Sequence, residues 1–191
     1  MVHRPNRLLA KRASNRLICS PEESTPPAEL RHETARPMPN EWRNGEFRIS
    51  TDQRCLDLDT IYVFLATQSE WARGIPRSVF EKSTRCSLCF GLFHADRQVG
   101  FARVISDHAT IAYLGDVFVL PEYRGRGLAK WLMQCIVAHP DLQDLRRWIL
   151  VTENAHGLYR RYGFTELAHP EGFMELHNPD VYRLGVPTAS R

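Results

Sequence analysis

The chain has 191 residues, enough for one domain with a sizeable core, and its 43% hydrophobic and 10% aromatic content is that of an ordinary soluble globular protein. No apolar run approaches the ~20 residues that span a bilayer. The net charge of +3 is confined to one end: residues 1–20 hold Arg4, Arg7, Lys11, Arg12 and Arg16 and no acid, so the other 20 basic residues face all 22 acids. That distribution argues against a nucleic-acid-binding domain.

Residues 1–41 read as a disordered arm. Pro21, Pro26, Pro27, Pro37 and Pro39 interrupt any regular element, and the segment is too poor in apolar residues to offset its ordering entropy. An Arg-rich, acid-free start is also the composition of an organellar transit peptide, and a cytoplasmic location is the alternative. The domain itself is expected over residues 42–182, with a short tail over 183–191.

Glu46–Thr51 alternates as a first strand. Leu56–Ala66 carries apolar residues at helical spacing, and Pro76 opens a second helix over Arg77–Arg85. Leu88–Phe93 and Gln98–Ser106 form a hairpin around His94–Arg97, and Ile111–Leu120 is a further strand. Leu128, Trp131, Leu132, Cys135 and Ile136 then mark an amphipathic helix within 127–138. Arg147–Thr152 is apolar enough for a strand covered on both faces. A short helix over 154–162 ends at Gly163, and 164–168 with 173–176 form a closing strand pair. This order predicts an α/β fold with a mixed sheet, in which 111–120, the helix and 147–152 make a right-handed parallel crossover. Ligands in such folds sit at the carboxyl ends of the strands.

Five scattered cysteines give no disulfide framework, and Cys86-x-x-Cys89 lies in a stretch that reads as strand, where i and i+3 point to opposite faces. No metal site is expected.

The stretch Asp116–Lys130 contains the chemistry. Pro121 ends the strand, Gly125 and Gly127 permit a sharp turn close to a ligand, and a helix starts directly behind them. Unpaired N–H groups and the positive dipole end then face the turn, with Arg124 and Arg126 beside them, which is an anion site suited to a pyrophosphate. The P-loop spacing is absent, and a Rossmann turn would need a third glycine.

Arg124-Gly125-Arg126-Gly127-Leu128-Ala129 fits the R/Q-x-x-G-x-G/A signature of the GCN5-related N-acetyltransferases (GNAT). With Val-Phe-Val-x-Pro-x-Tyr before it and Leu158-Tyr159-x-x-Tyr162-Gly163-Phe164 after it, the segment resembles the acetyl-CoA half of that family. A weaker similarity covers about residues 46–178. The resemblance implies a mainly antiparallel sheet with a splayed parallel pair, acetyl-CoA as co-substrate and direct attack by a primary amine. It implies that residues 124–129 hold the pyrophosphate, and that the backbone of Phe118 and Val119 pairs with the pantetheine and polarises the thioester. It places Tyr159 beside the sulfur as general acid; a packing tyrosine is the other reading. Asn154, five residues before Tyr159 where the family often has seven, either contacts the pantetheine or caps the helix. By period two, Asp116 shares a face with Leu114 and Phe118, where desolvation would raise its pKa toward that of a base; a structural Asp is the alternative. Trp71, Phe101 and Tyr113 are candidates for an apolar wall on the acceptor side. The acceptor is a small molecule or peptide amine, with no nucleic-acid or membrane partner, and the protein is a monomer or homodimer. A non-catalytic acyl-CoA-binding module on the same fold is the rival function.

Overall fold

A computed structural model describes residues 39–182. The expected arm up to residue 38 and the tail over 183–191 lie outside the described residues. Six strands form one sheet in the order β1 to β6: β1 (Glu41–Asn44), β2 (Phe47–Ser50), β3 (Leu88–His94), β4 (Arg97–Ser106), β5 (Ile111–Val119) and β6 (Arg147–Ile149). All neighbours are antiparallel except β5 and β6, which are parallel. The expected mixed α/β architecture with one parallel pair is therefore present.

The helices follow local signals. α1 (Leu58–Val63) is capped by Asp57, whose carboxylate accepts from the N–H groups of Asp59 and Thr60. A π-turn over Phe64–Gln68 continues it. α2 (Arg77–Arg85) starts directly after Pro76, which the sequence had marked as its opening residue. α3 (Leu128–Val137) buries Leu128, Leu132, Met133, Cys135 and Ile136. The sheet separates the layers. Phe118 stacks on Phe64 beyond α1 at 3.9 Å, so Phe101, Arg103, Gly115 and Phe118 look toward α1 and α2. Phe90 lies edge-on to His139, just past α3, so Phe90 and its cross-strand partner Ala102 look the other way.

Several expectations need correction. The first strand is a hairpin: β1 and β2 join through a two-residue turn, Gly45–Glu46. β6 is three residues long and half-exposed rather than covered on both faces, with Val151 beyond it 80% exposed. Residues 164–168 and 173–176 form no strands; Met174 and Leu176 project fully into solvent. Cys86 is the exposed C-cap of α2, whereas Cys89 is buried in β3, donates to the Thr84 carbonyl and has its thiol pushed up to about 12 by burial.

Candidate functional site

The parallel pair parts early. β5 and β6 are bonded only over Ile111–Tyr113 and Arg147–Ile149, yet β5 runs on to Val119. From Asp116 onward, no strand among the described residues covers the β6 side of β5. Which backbone groups face that opening follows from one bond. The Leu120 N–H donates to Val99 on the β4 side, at 2.8 Å. The Val119 carbonyl shares that peptide plane and points the opposite way, into the opening, as does the Val119 N–H. Phe118 alternates: its carbonyl oxygen lies where a side chain on Gly100 of β4 would be, 2.7 Å from an ideal Cβ. The backbone groups of Phe118 therefore face β4, and by alternation those that face the opening belong to Val117 and Val119.

At the end of β5 the chain turns through Pro121–Tyr123 into the glycine loop. Gly125 and Gly127 have φ of +77° and +79°, left-handed values that disfavour a side chain. An added Cβ at either position would meet nothing within 4 Å, so the space in front of the loop is open. Gly127 is the N-cap of α3 and offers no side-chain acceptor. Among the described residues, no protein acceptor is seen for the backbone N–H groups from Gly127 to Lys130; the first helical bond runs from Trp131 to Gly127. These four donors at a helix N-terminus, with open space before Gly125 and Gly127, form an anion cradle. The exposed Arg126 lies over the Tyr123 ring at 5.4 Å, while Arg124 folds back and donates from Nε to the Val119 carbonyl at 3.0 Å. Leu128 is buried beneath the loop and Ala129 packs beside it.

Tyr159 stands in the short helix α4 (His156–Tyr159), only 9% exposed, with its ring edge-on to Phe164 at 5.9 Å. Burial raises its pKa, so the phenol stays protonated. Its hydroxyl has no hydrogen-bond partner among the described residues. It lines a cavity of about 290 Å³ with Trp148–Thr152 and His156. Asn154 is exposed in the preceding bend and does not cap α4; Thr152 Oγ1 accepts from the Ala155 N–H instead, at 3.1 Å.

Asp116 departs most from the simple strand reading. A β-bulge breaks the pairing here, since Phe101 faces Phe118 but Arg103 faces Gly115. The extra residue places Leu114 and Phe118 on opposite faces, so period two does not hold across Asp116. Asp116 itself has φ of +56°. Its Oδ2 accepts from Arg103 Nε at 2.7 Å and its Oδ1 from Trp71 Nε1 at 3.1 Å, and both charged side chains are mostly buried. Of the expected acceptor wall, Trp71 and Tyr113 are exposed, whereas Phe101 is wholly buried in the core.

Comparison with known proteins agrees with this architecture. Residues 86–166 match a family profile described as an acetyltransferase (GNAT) domain. A crystal structure of a candidate acetyltransferase of the GNAT family from Xanthomonas campestris pv. campestris is 54% identical, with a TM-score of 0.70, and aligns with 71% of this chain and 96% of its own. A candidate acetyltransferase of Gibberella zeae is 31% identical over 63% of this chain and 80% of its own length. A candidate acetyltransferase structure from Deinococcus radiodurans, at 17% identity and a TM-score of 0.57, shares the fold over 73% of this chain and 94% of its own. With its parted parallel strands and glycine-loop helix, the chain belongs to the GNAT family of acetyltransferases.

Proposed function

We propose that the protein is an acetyl-CoA-dependent N-acetyltransferase that acts on a primary amine by direct attack in a ternary complex. The observation that carries this reading is the run of unbonded N–H groups from Gly127 to Lys130 behind an open glycine loop, next to the part of β5 that β6 does not pair with. Such a cradle fits a pyrophosphate, and an unpaired strand edge fits an amide-bearing arm added like a further strand. Acetyl-CoA offers both and supplies an activated thioester.

The loop donors and the Arg124 and Arg126 guanidiniums would hold the diphosphate. The N–H of Val119, aimed into the opening, would bond the carbonyl oxygen where negative charge develops during attack, as an oxyanion donor. Tyr159, protonated and without another partner, would give its proton to the departing sulfur. Asn154, exposed in the bend before α4, would contact the pantetheine. The amine's proton would leave to water; both Asp116 oxygens already accept from protein donors.

The test is thiol release from acetyl-CoA in the presence of a panel of primary amines. Amine-dependent release, with the acetyl group recovered on nitrogen, supports the reading. Release that ignores the amine would be hydrolysis and would refute the acceptor assignment.

A further inference from the structure

Three features at one point in the fold are individually unfavourable. Asp116 is a non-glycine residue in the left-handed region, at φ +56°. Its carboxylate and the Arg103 guanidinium form an ion pair with side chains only 12% and 15% exposed, where desolvation offsets much of the attraction. Trp71, a large apolar side chain, is left 56% exposed. All three meet in one chain of contacts. Ser87 Oγ accepts from Arg103 NH1 at 3.3 Å, Arg103 holds Asp116, and Asp116 fixes the indole N–H of Trp71. An exposed tryptophan in a loop has no structural need of so ordered an anchor.

A second ring lies on the same side. Tyr113 shares the α1–α2 face of the sheet with Gly115 and Arg103, and its ring comes within 3.4 Å of where a Gly115 Cβ would be. It is 38% exposed. Two solvent-facing rings thus flank the Arg103–Asp116 pair, in the stretch of β5 that runs directly into Val119. At about 3.3 Å per residue, Asp116 lies within ~10 Å of the Val119 amide along the strand.

We infer that Trp71 and Tyr113 form the acceptor wall, that Asp116 is a positioning residue which holds Trp71 rather than a group that takes the acceptor's proton, and that the acceptor is a primary amine on an apolar body. This rests on the N-acetyltransferase reading above. Aromatic faces bind apolar carbon through dispersion and an amine-bearing end through the ring quadrupole.

The experiment compares 2-phenylethylamine, glucosamine 6-phosphate and a lysine-containing peptide as acceptors, with the thermal shift by acetyl-CoA recorded for every variant. 2-Phenylethylamine is expected to lead in kcat/KM by roughly tenfold, the range that apolar pocket contacts provide. Trp71→Ala should raise its KM about tenfold with kcat nearly held, and Trp71→Phe should recover most of that loss because the ring remains. Asp116→Asn keeps an acceptor for the indole N–H and suits a left-handed backbone, so it should raise KM several-fold through a looser Trp71. A loss of ~100-fold in kcat at unchanged KM would instead make Asp116 the general base and overturn the assignment. So would an unchanged KM in Trp71→Ala, a preference for the sugar or the peptide, or no transfer to any of the three while acetyl-CoA still raises the melting temperature. Loss of the thermal shift in the wild type would take down the underlying function as well.

Discussion

Arg124 Nε donates to the Val119 carbonyl across 3.0 Å, and this one bond ties the anion loop to the last residue of β5. The cradle for a diphosphate and the amide proposed to polarise the thioester are thereby held at a fixed separation. Arg126, two residues on, rests on the Tyr123 ring and holds nothing in the strand. Arg124→Ala should therefore weaken acetyl-CoA binding by about 10–100-fold, as expected for a lost charge-assisted hydrogen bond. Arg126→Ala should cost several-fold less. Calorimetric titration of both variants with acetyl-CoA checks the order, and equal losses would show that the tie is incidental.

The proposed acid role of Tyr159 predicts a kinetic split. Tyr159→Phe keeps the ring against Phe164 and removes only the donor. If the phenol protonates the thiolate, kcat falls by ~10²–10⁴-fold while acetyl-CoA affinity is retained. Because burial raises this pKa, the group remains a donor through neutral and mildly alkaline pH, so kcat should show no Tyr159-linked decline between pH 7 and 9. A Phe variant with near wild-type kcat would make Tyr159 a packing residue.

Burial also lowers the pKa of His139, which is 1% exposed, accepts from the Asp141 N–H and meets the Asn40 amide. Its neutral form is favoured by folding. The contribution is full above the unfolded value of about 6.5 and is lost as pH falls below it, because the unfolded chain takes up the proton first. The melting temperature should drop more between pH 7.5 and 5.5 in the wild type than in His139→Gln. Parallel drops would remove His139 from the pH response.

What the sequence disclosed was local and periodic. α3 was legible because Leu128, Leu132, Cys135 and Ile136 repeat at helical spacing, and α2 because Pro76 can only begin it. The glycine loop was legible because positive φ at Gly125 and Gly127 leaves a residue signature. The bulge at Asp116 left none: one inserted residue in an apolar strand changes which face each side chain takes without changing composition. The Arg103 and Trp71 partners of Asp116 are 13 and 45 residues away, beyond the reach of any periodicity. β1 was left unassigned at the start of the domain although Asn44-Gly45 is a strong turn signal. The closing strands failed differently, since alternation at 173–176 states a propensity and not a partner.

The sequence places the start of the domain at residue 42; we propose that it also takes in Asn40 and Glu41, which pair with Thr51, His139 and Ser50, and that the segment before residue 39 is an arm. Removal of residues 1–38 should leave the melting temperature and acetyl-CoA binding nearly unchanged, because the core of residues 39–182 is continuous. Extending the deletion through Asn40 should lower the melting temperature, because the Asn40 N–H donates to Thr51 Oγ1 at 2.8 Å and its side chain meets His139 at 3.0 Å. Differential scanning calorimetry of both truncations decides it; an unfolded 39–191 chain would move the boundary toward the N-terminus.

The most direct test of acetyl-CoA use is thermal denaturation with and without acetyl-CoA, for the wild type and Gly127→Glu. A ligand at a hundred times its Kd stabilises by ~2.7 kcal/mol, several degrees for a domain of this size. At Gly127, a glutamate would place a side chain in the open space before the cradle, its charge opposing a phosphate, on a backbone with φ +79°. The account predicts a rise of several degrees in the wild type and none in the folded variant. A wild type whose melting temperature does not move at millimolar acetyl-CoA would contradict it.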